Sequence, residues 1–243
     1  MRLLIIRHGD PDYEKDSLTE KGWREAECLA DKLEHMKIDY CYVSPLGRAK
    51  DTASVTLKRT GWDIREMDWM REFEPRILRP DLGGKRMIAW DWLPQDWTKD
   101  DRFYLYDHWM ENEIMQEAHV PQEIKWVENG LDELLLHHGY ERNGHLYRAV
   151  APNNDTVALF CHFGVGCVMI GHLLGISPMV LWQGLCAAPT SITTIYTEER
   201  RKGIASFRMA SYGDVSHLYA AGEEVSFAAR FCECYDNLDE RHD

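Results

Sequence analysis

The sequence predicts an α/β fold around a parallel sheet, and three observations carry that prediction. Leu3-Leu4-Ile5-Ile6 and Thr156-Val157-Ala158-Leu159-Phe160-Cys161 are short, near-continuous apolar runs, the pattern of strands buried on both faces. Each runs straight into a polar cluster containing a histidine: Arg7-His8-Gly9, followed by Asp10-Pro11-Asp12, and His162-Phe163-Gly164. Between them, strand-like runs alternate with helical periodicities. In open α/β sheets the carboxyl ends of strands are where ligands bind, so these two histidines stand at the positions that matter most.

The elements follow in order. Thr19 is a candidate N-cap for a helix to about Lys37, with Trp23, Ala26, Ala30 and Leu33 on its apolar face. Tyr40-Cys41-Tyr42-Val43 reads as a second strand. It ends at Ser44-Pro45-Leu46-Gly47-Arg48, a helix start with Ser44 as cap candidate and Arg48 one turn in. Trp62–Met67 alternates as a third strand. The helix from about Pro121 to His138 buries Ile124, Val127, Leu131, Leu134 and Leu135. After the strand at 156–161, Val165–Leu174 is helical and stops at Gly175 with Pro178 beyond. Pro189–Tyr196 is a further strand, and Gly203–Met209 pairs with it or follows it. The last dozen residues are acidic and polar and are expected to fray.

Residues 75–118 break this rhythm. The segment is rich in Pro, Asp, Trp and Tyr and carries four of the chain's nine tryptophans, Trp90, Trp92, Trp97 and Trp109. It reads as an insertion of short helices over one end of the sheet, within a single domain spanning 1–243. Its aromatics either line a pocket or form the insertion's own small core.

Composition narrows the function. The 243-residue chain carries a net charge of −13, which argues against nucleic acid and anionic membranes as partners. It has no apolar stretch of transmembrane length, and its N-terminal apolar run is too short for a signal peptide. Seven scattered cysteines fit reduced thiols and a cytoplasmic location. Cys232 and Cys234 lack the second pair or histidine cluster that zinc requires.

Arg7, His8, Arg48 and His162 therefore converge on one sheet edge. Two arginines and two histidines make a pocket for a tetrahedral dianion, in which one histidine attacks phosphorus and the other neutralises equatorial charge. A positive neighbour holds the histidine beside Arg7 largely neutral and nucleophilic. A carboxyl group with a raised pKa is then needed to protonate the leaving oxygen. Cys161 reads as a buried strand residue in preference to a nucleophile.

Three blocks in this order resemble the histidine phosphatase superfamily, the phosphoglycerate mutase-like family: Arg7-His8-Gly9, Ser44-Pro45-Leu46-Gly47-Arg48-Ala49-x-x-Thr52-Ala53, and Cys161-His162-Phe163-Gly164. Leu18-Thr19-x-x-Gly22 and Ser216-His217-Leu218 also look like family features. The resemblance implies a three-layer α/β/α fold with a mainly parallel central sheet, and neither a metal nor an organic cofactor. It implies His8 as the nucleophile that becomes phosphohistidine, and Arg7, Arg48 and His162 as holders of the phosphoryl oxygens. Met70-Arg71-Glu72-Phe73 is similar to the segment that supplies the proton donor, which makes Glu72 the acid and Glu74 the reserve. Members are often dimers, so a homodimer is compatible.

Two positions depart from the family pattern. Glu14 stands where phosphate-binding members often have Asn, and Phe163 where glycine is usual. Three readings stay open on the sequence: hydrolysis of a small-molecule phosphomonoester, mutase-type phosphoryl transfer, and phosphate binding without turnover. Hydrolysis is favoured over transfer because the 75–118 segment shows no pair of basic residues set to grip a second acidic group.

Overall fold

The computed structural model describes residues 1–226 and 232–239. The chain runs β1 (Arg2–Arg7), β2 (Pro11–Asp12), β3 (Ser17–Leu18), α1 (Glu20–Leu33), β4 (Tyr40–Val43), α2 (Gly47–Thr60), β5 (Ile64–Glu66), β6 (Arg76–Leu78) and β7 (Arg86–Ile88). It continues through α3 (Pro94–Trp97), α4 (Glu113–Glu117), α5 (Val120–His137), β8 (Tyr140–Asn143), β9 (Leu146–Ala149), β10 (Thr156–Cys161) and α6 (Phe163–Leu174). It then forms α7 (Pro178–Gly184), β11 (Ile192–Arg201), β12 (Ile204–Asp214) and α8 (Ser216–Ala221). Eight strands form the central sheet in the order β5-β4-β10-β1-β11-β12-β9-β8.

Side-chain alternation along the two central strands explains the layers. Leu4, Ile6, Ala158 and Phe160 pack with Leu29 and Leu33 of α1 and Ala49 and Ala53 of α2. Leu3, Ile5, Val157 and Leu159 point the other way, into a core with Leu131 and Leu135 of α5 and Val168 of α6. Burial on both faces is what the near-continuous apolar runs encode, and three α/β/α layers result.

The expected mainly parallel sheet is parallel in one half only. β5, β4, β10 and β1 run parallel to their neighbours, whereas β1–β11, β11–β12, β12–β9 and β9–β8 are antiparallel. The cause is local. Lys202-Gly203 joins β11 to β12 and Gly144-His145 joins β8 to β9, and connections this short join antiparallel strands only. Gly203 and Gly144 supply the positive φ, +80° and +63°, that such turns require.

Other boundaries moved for physical reasons. Thr19 caps α1 by accepting from the Gly22 N–H, but the helix stops at Leu33 and turns toward β4. Trp62–Met67 pairs only over Ile64–Glu66, and α6 begins at Phe163, two residues early, with His162 as its N-cap. The β8–β9 hairpin escaped the sequence because Glu141, Arg142 and Asn143 mask the alternation around buried Tyr140 and Tyr147.

Segment 75–118 contains the β6–β7 ribbon, α3, α4 and short 3-10 turns. Trp92, Trp97, Phe103 and Trp109 are buried and pack edge to face, Trp92 at 5.3 Å from Phe103 and Trp109 at 5.4 Å from Trp182 of α7. Among the four tryptophans, these three build a core. The expected fraying of the last dozen residues falls partly on residues 240–243, outside the described residues.

Candidate active site

The sheet order brings the site together. β1 and β10 are parallel neighbours with Arg7 opposite Cys161, so the next residues, His8 and His162, emerge side by side. Their ring centroids lie 5.0 Å apart. β4 flanks β10 on its other side with Val43 opposite Phe160, which delivers Ser44 next to His162. Ser44 caps no helix here; Leu46 is the N-cap of α2, and Ser44 Oγ lies 2.6 Å from His162 Nε2.

A hydrogen bond fixes the tautomer of His8. His8 Nδ1 lies 2.7 Å from the Gly9 carbonyl, which only accepts, so Nδ1 carries the proton and Nε2 keeps a free lone pair. Ser44 Oγ accepts from the Leu46 N–H and shares a hydrogen bond with His162 Nε2, a contact that a hydroxyl makes with either tautomer of the ring. His162 Nδ1 is buried without a protein partner, as are Arg7 Nε and Arg48 Nε. Three buried nitrogens with unused capacity, two of them guanidinium N–H donors, on the elements that meet at His8 fit an anion with several oxygens. Burial, then the Arg7 charge, pushes the His8 pKa well below the ordinary imidazole range. Burial, then His8 and Arg48, does the same to His162. Both rings are therefore neutral at physiological pH.

The arginines are fixed from outside. Arg7 Nη1 donates to the Ala187 carbonyl. Arg48, the second residue of α2, donates through Nη1 to Asp16 Oδ1 at 2.6 Å. The His8 backbone is pinned as well: its N–H donates to the Cys161 carbonyl and its carbonyl accepts from the Thr190 N–H. Thr190 has a φ of +58°, and its Oγ1 lies 3.0 Å from Nε2 of buried His217. Thr52 Oγ1 accepts from the Gly9 N–H at 2.9 Å and donates to the Arg48 carbonyl, tying the two arginine-bearing elements together.

Of the two acid candidates, Glu72 is half-buried and Glu74 is exposed. Glu74 is ion-paired to Arg71 at the surface. Glu72 Oε1 accepts from the backbone N–H groups of Phe73, at 2.8 Å, and Val165, at 3.1 Å. These bonds favour the carboxylate, but burial outweighs them and raises the Glu72 pKa. Gly164 makes this placement possible. A Cβ there would stand 2.7 Å from Glu72 Oε1 and 2.8 Å from Trp90 Nε1.

Trp90 is the point where segment 75–118 reaches the site. Its Nε1 donates to the Phe73 carbonyl and its ring stands edge-on to Phe163, 5.7 Å away. Phe163 thus forms a wall together with Trp90. Glu14 is exposed on the loop between β2 and β3. Cys161 is fully buried, and burial drives its thiol pKa far up, which makes it inert as a nucleophile. Among the described residues no cluster of three or more His, Cys, Asp or Glu is set to hold a metal ion, and no helix is long and apolar enough to cross a membrane.

Asp16, Thr190 and the Ala187 carbonyl were missed by sequence reasoning. Asp16 sits in an acidic turn with no distinguishing pattern, and a backbone carbonyl leaves no trace in sequence. Thr52 and His217 lie within the sequence blocks quoted above, without an individual role.

Comparison with known proteins agrees with this geometry. Residues 3–82 match the family model of the histidine phosphatase superfamily (branch 1). The chain is 25% identical over 152 residues to 2-carboxy-D-arabinitol-1-phosphatase of Triticum aestivum, covering 57% of this chain but only 28% of the wheat protein. It is 22% identical over 229 residues to a probable phosphoglycerate mutase of Cronobacter sakazakii, covering 90% of this chain and 96% of that one. Among solved structures, a mutant phosphoserine phosphatase from Entamoeba histolytica in complex with phosphoserine superposes with a TM-score of 0.60 at 19% identity, covering 89% of this chain and 98% of the other. A mycobacterial glucosyl-3-phosphoglycerate phosphatase gives 0.57 at 18% identity, over 87% and 98% of the two chains. At these identities the structural likeness establishes the fold.

Proposed function

We propose that this chain, a member of the histidine phosphatase superfamily, hydrolyses phosphomonoesters through a phosphohistidine on His8. His8 Nε2 attacks phosphorus in line while the bond to the ester oxygen breaks and Glu72 gives its proton to the departing alcohol. Arg7, Arg48 and His162 Nδ1 hold the equatorial oxygens as charge redistributes. Water then attacks the phosphohistidine, Glu72 takes the water's proton, and the P–N bond breaks. Every step uses side chains of this chain, so the reaction needs no metal ion. The single domain closes over the site with residues 75–118 as a cap, Trp90 and Phe163 walling the leaving-group side.

The observation that carries this reading is the set of buried nitrogens without a protein partner on Arg7, Arg48 and His162, on the elements that meet at His8, whose Nε2 is unprotonated. Hydrolysis is favoured over mutase-type transfer because basic residues of the cap are engaged by their own carboxylates. Arg79 pairs with Asp81, Arg86 with Glu117, Lys99 with Asp96 and Arg102 with Asp100. The test is a screen of aromatic, sugar and amino-acid phosphomonoesters at pH 5 to 8 in chelator, with 3-phosphoglycerate isomerisation read in parallel. Metal-independent hydrolysis by the wild type, lost in His8→Ala, is the expected result. Isomerisation without hydrolysis would make the chain a mutase.

A further inference from the structure

We infer that Asp16 sets the charge of the substrate: its carboxylate occupies the outer edge of Arg48 and the first N–H of α2, so the site takes esters whose phosphoryl group is their only anion. The inference rests on the phosphatase reading above and deepens it. Asp16 Oδ1 accepts from Arg48 Nη1 and Oδ2 accepts from the Gly47 N–H, both at 2.6 Å. Gly47 is the first residue of a 14-residue helix, whose N-terminus favours an anion. An internal anion already holds that place. Arg48 is thereby divided: one edge is bound to Asp16, while the buried Nε keeps its capacity for the phosphoryl group.

The chain is shaped to hold this arrangement. Asp16 has a φ of +48°, a left-handed conformation that a non-glycine residue holds only where its surroundings enforce it. Gly47 has no side chain, and a Cβ there would stand 2.1 Å from the Asp16 carbonyl oxygen. Ser17 Oγ donates to Asp51 of α2 at 2.5 Å, anchoring the next residue of the loop. The Tyr13 ring lies 5.5 Å from the Arg48 guanidinium carbon, on the same loop. A substrate bearing a carboxylate or second phosphate would find Arg48's outer edge occupied and would face the like charge of Asp16, with Glu14 on the same loop. Like-charge juxtaposition of this kind selects against the wrong ligand more than it strengthens the right one.

The test measures binding, so it does not depend on turnover. Inorganic phosphate and 3-phosphoglycerate are titrated calorimetrically into wild type, Asp16→Asn and Glu14→Gln. Asparagine keeps a carbonyl acceptor for the Gly47 N–H and removes the charge. The expected result is a wild type that prefers phosphate, a shift of the affinity ratio toward 3-phosphoglycerate of about tenfold in Asp16→Asn, and about twofold or less in Glu14→Gln. Asp16→Ser reads the same ratio if the asparagine variant does not fold. An unchanged ratio with both affinities lowered would reduce Asp16 to a support for Arg48 and overturn the proposal. So would an equal shift in Glu14→Gln, which would assign selectivity to the general field of the loop. Failure of the wild type to bind phosphate at all would instead overturn the phosphatase reading, and this one with it.

Discussion

Arginine is used in two ways in this molecule. At the strand ends, Arg7 and Arg48 are held from outside, by the Ala187 carbonyl and by Asp16, and each keeps a buried Nε without a protein partner. In segment 75–118, Arg79 reaches Asp81 and the Asp91 carbonyl, and Arg102 closes on Asp100. The partners differ in sequence distance. Arg79 and Arg102 meet carboxylates two residues away, so their charge is neutralised locally as the chain folds, whereas Arg86 of the same segment pairs with Glu117, 31 residues on. The strand-end arginines depend on contacts 32 and 180 residues distant, which orient them without exhausting their donors. What separates Arg7 and Arg48 from Arg79 and Arg102 is the buried Nε that each strand-end arginine keeps without a protein partner.

The largest expected effect tests the centre of the strand-end region. His8→Ala removes the proposed nucleophile and is expected to lower kcat by roughly four orders of magnitude, read as initial rates on an aromatic phosphomonoester. Retention of most of the activity would dissolve the contrast between the two regions. The cap should respond instead in stability. Trp109→Ala leaves a cavity against Trp182 and costs about 3–5 kcal/mol in denaturant unfolding. Arg48→Ala or Arg7→Ala withdraws one preorganised donor and lowers kcat by about 10²–10³-fold, with little change in the unfolding midpoint for a site residue that makes few structural bonds.

Glu72→Gln is expected to lower kcat by about 10²-fold on alkyl esters and less on nitrophenyl phosphate, whose leaving group needs no proton. The pH profile follows from two opposite shifts. Burial raises the Glu72 pKa, so the acid form is present at low pH and is lost as pH rises through that raised value. Burial and Arg7 lower the His8 pKa, so the nucleophile stays neutral until pH falls well below 6.5. Activity should therefore be highest on the acid side of neutrality and decline with rising pH, and Glu72→Gln should flatten the alkaline decline. A wild-type optimum above neutral pH would contradict the assignment. The smallest effect belongs to the cap surface. Lys99→Ala removes an exposed pair with Asp96 and should change stability by about 0.5 kcal/mol or less and kcat not at all.

Much of this arrangement was legible in the sequence, because short apolar runs that end in a histidine mark strand ends without any knowledge of neighbours. His8 and His162 needed only that pattern, and the register of β1 with β10 brought them together. The antiparallel half of the sheet was harder to read, since β11 and β12 are separated by two residues whose turn chemistry is visible only once both are recognised as strands. Glu72 and Glu74 differ by two positions and look alike in sequence. Burial separates them, and burial depends on Gly164, ninety-two residues further on. Asp16 left no signal because its role comes from a loop conformation that brings it to the backbone N–H of Gly47 and to Arg48, 31 and 32 residues further on. Ser44 was visible but misassigned: a serine before a helix suggests a cap, and only the neighbouring strand reveals His162 as its partner.

The most direct test of the central claim is to trap the intermediate. Wild-type protein is mixed with a ³²P-labelled phosphomonoester, quenched in alkali within the first turnovers, digested and mapped. A phosphohistidine mechanism predicts a base-stable, acid-labile phosphoryl group on the peptide containing His8, absent from His8→Ala and more abundant in Glu72→Gln when the leaving group is nitrophenol. Steady hydrolysis with no covalent label, or with label on another residue, would contradict it.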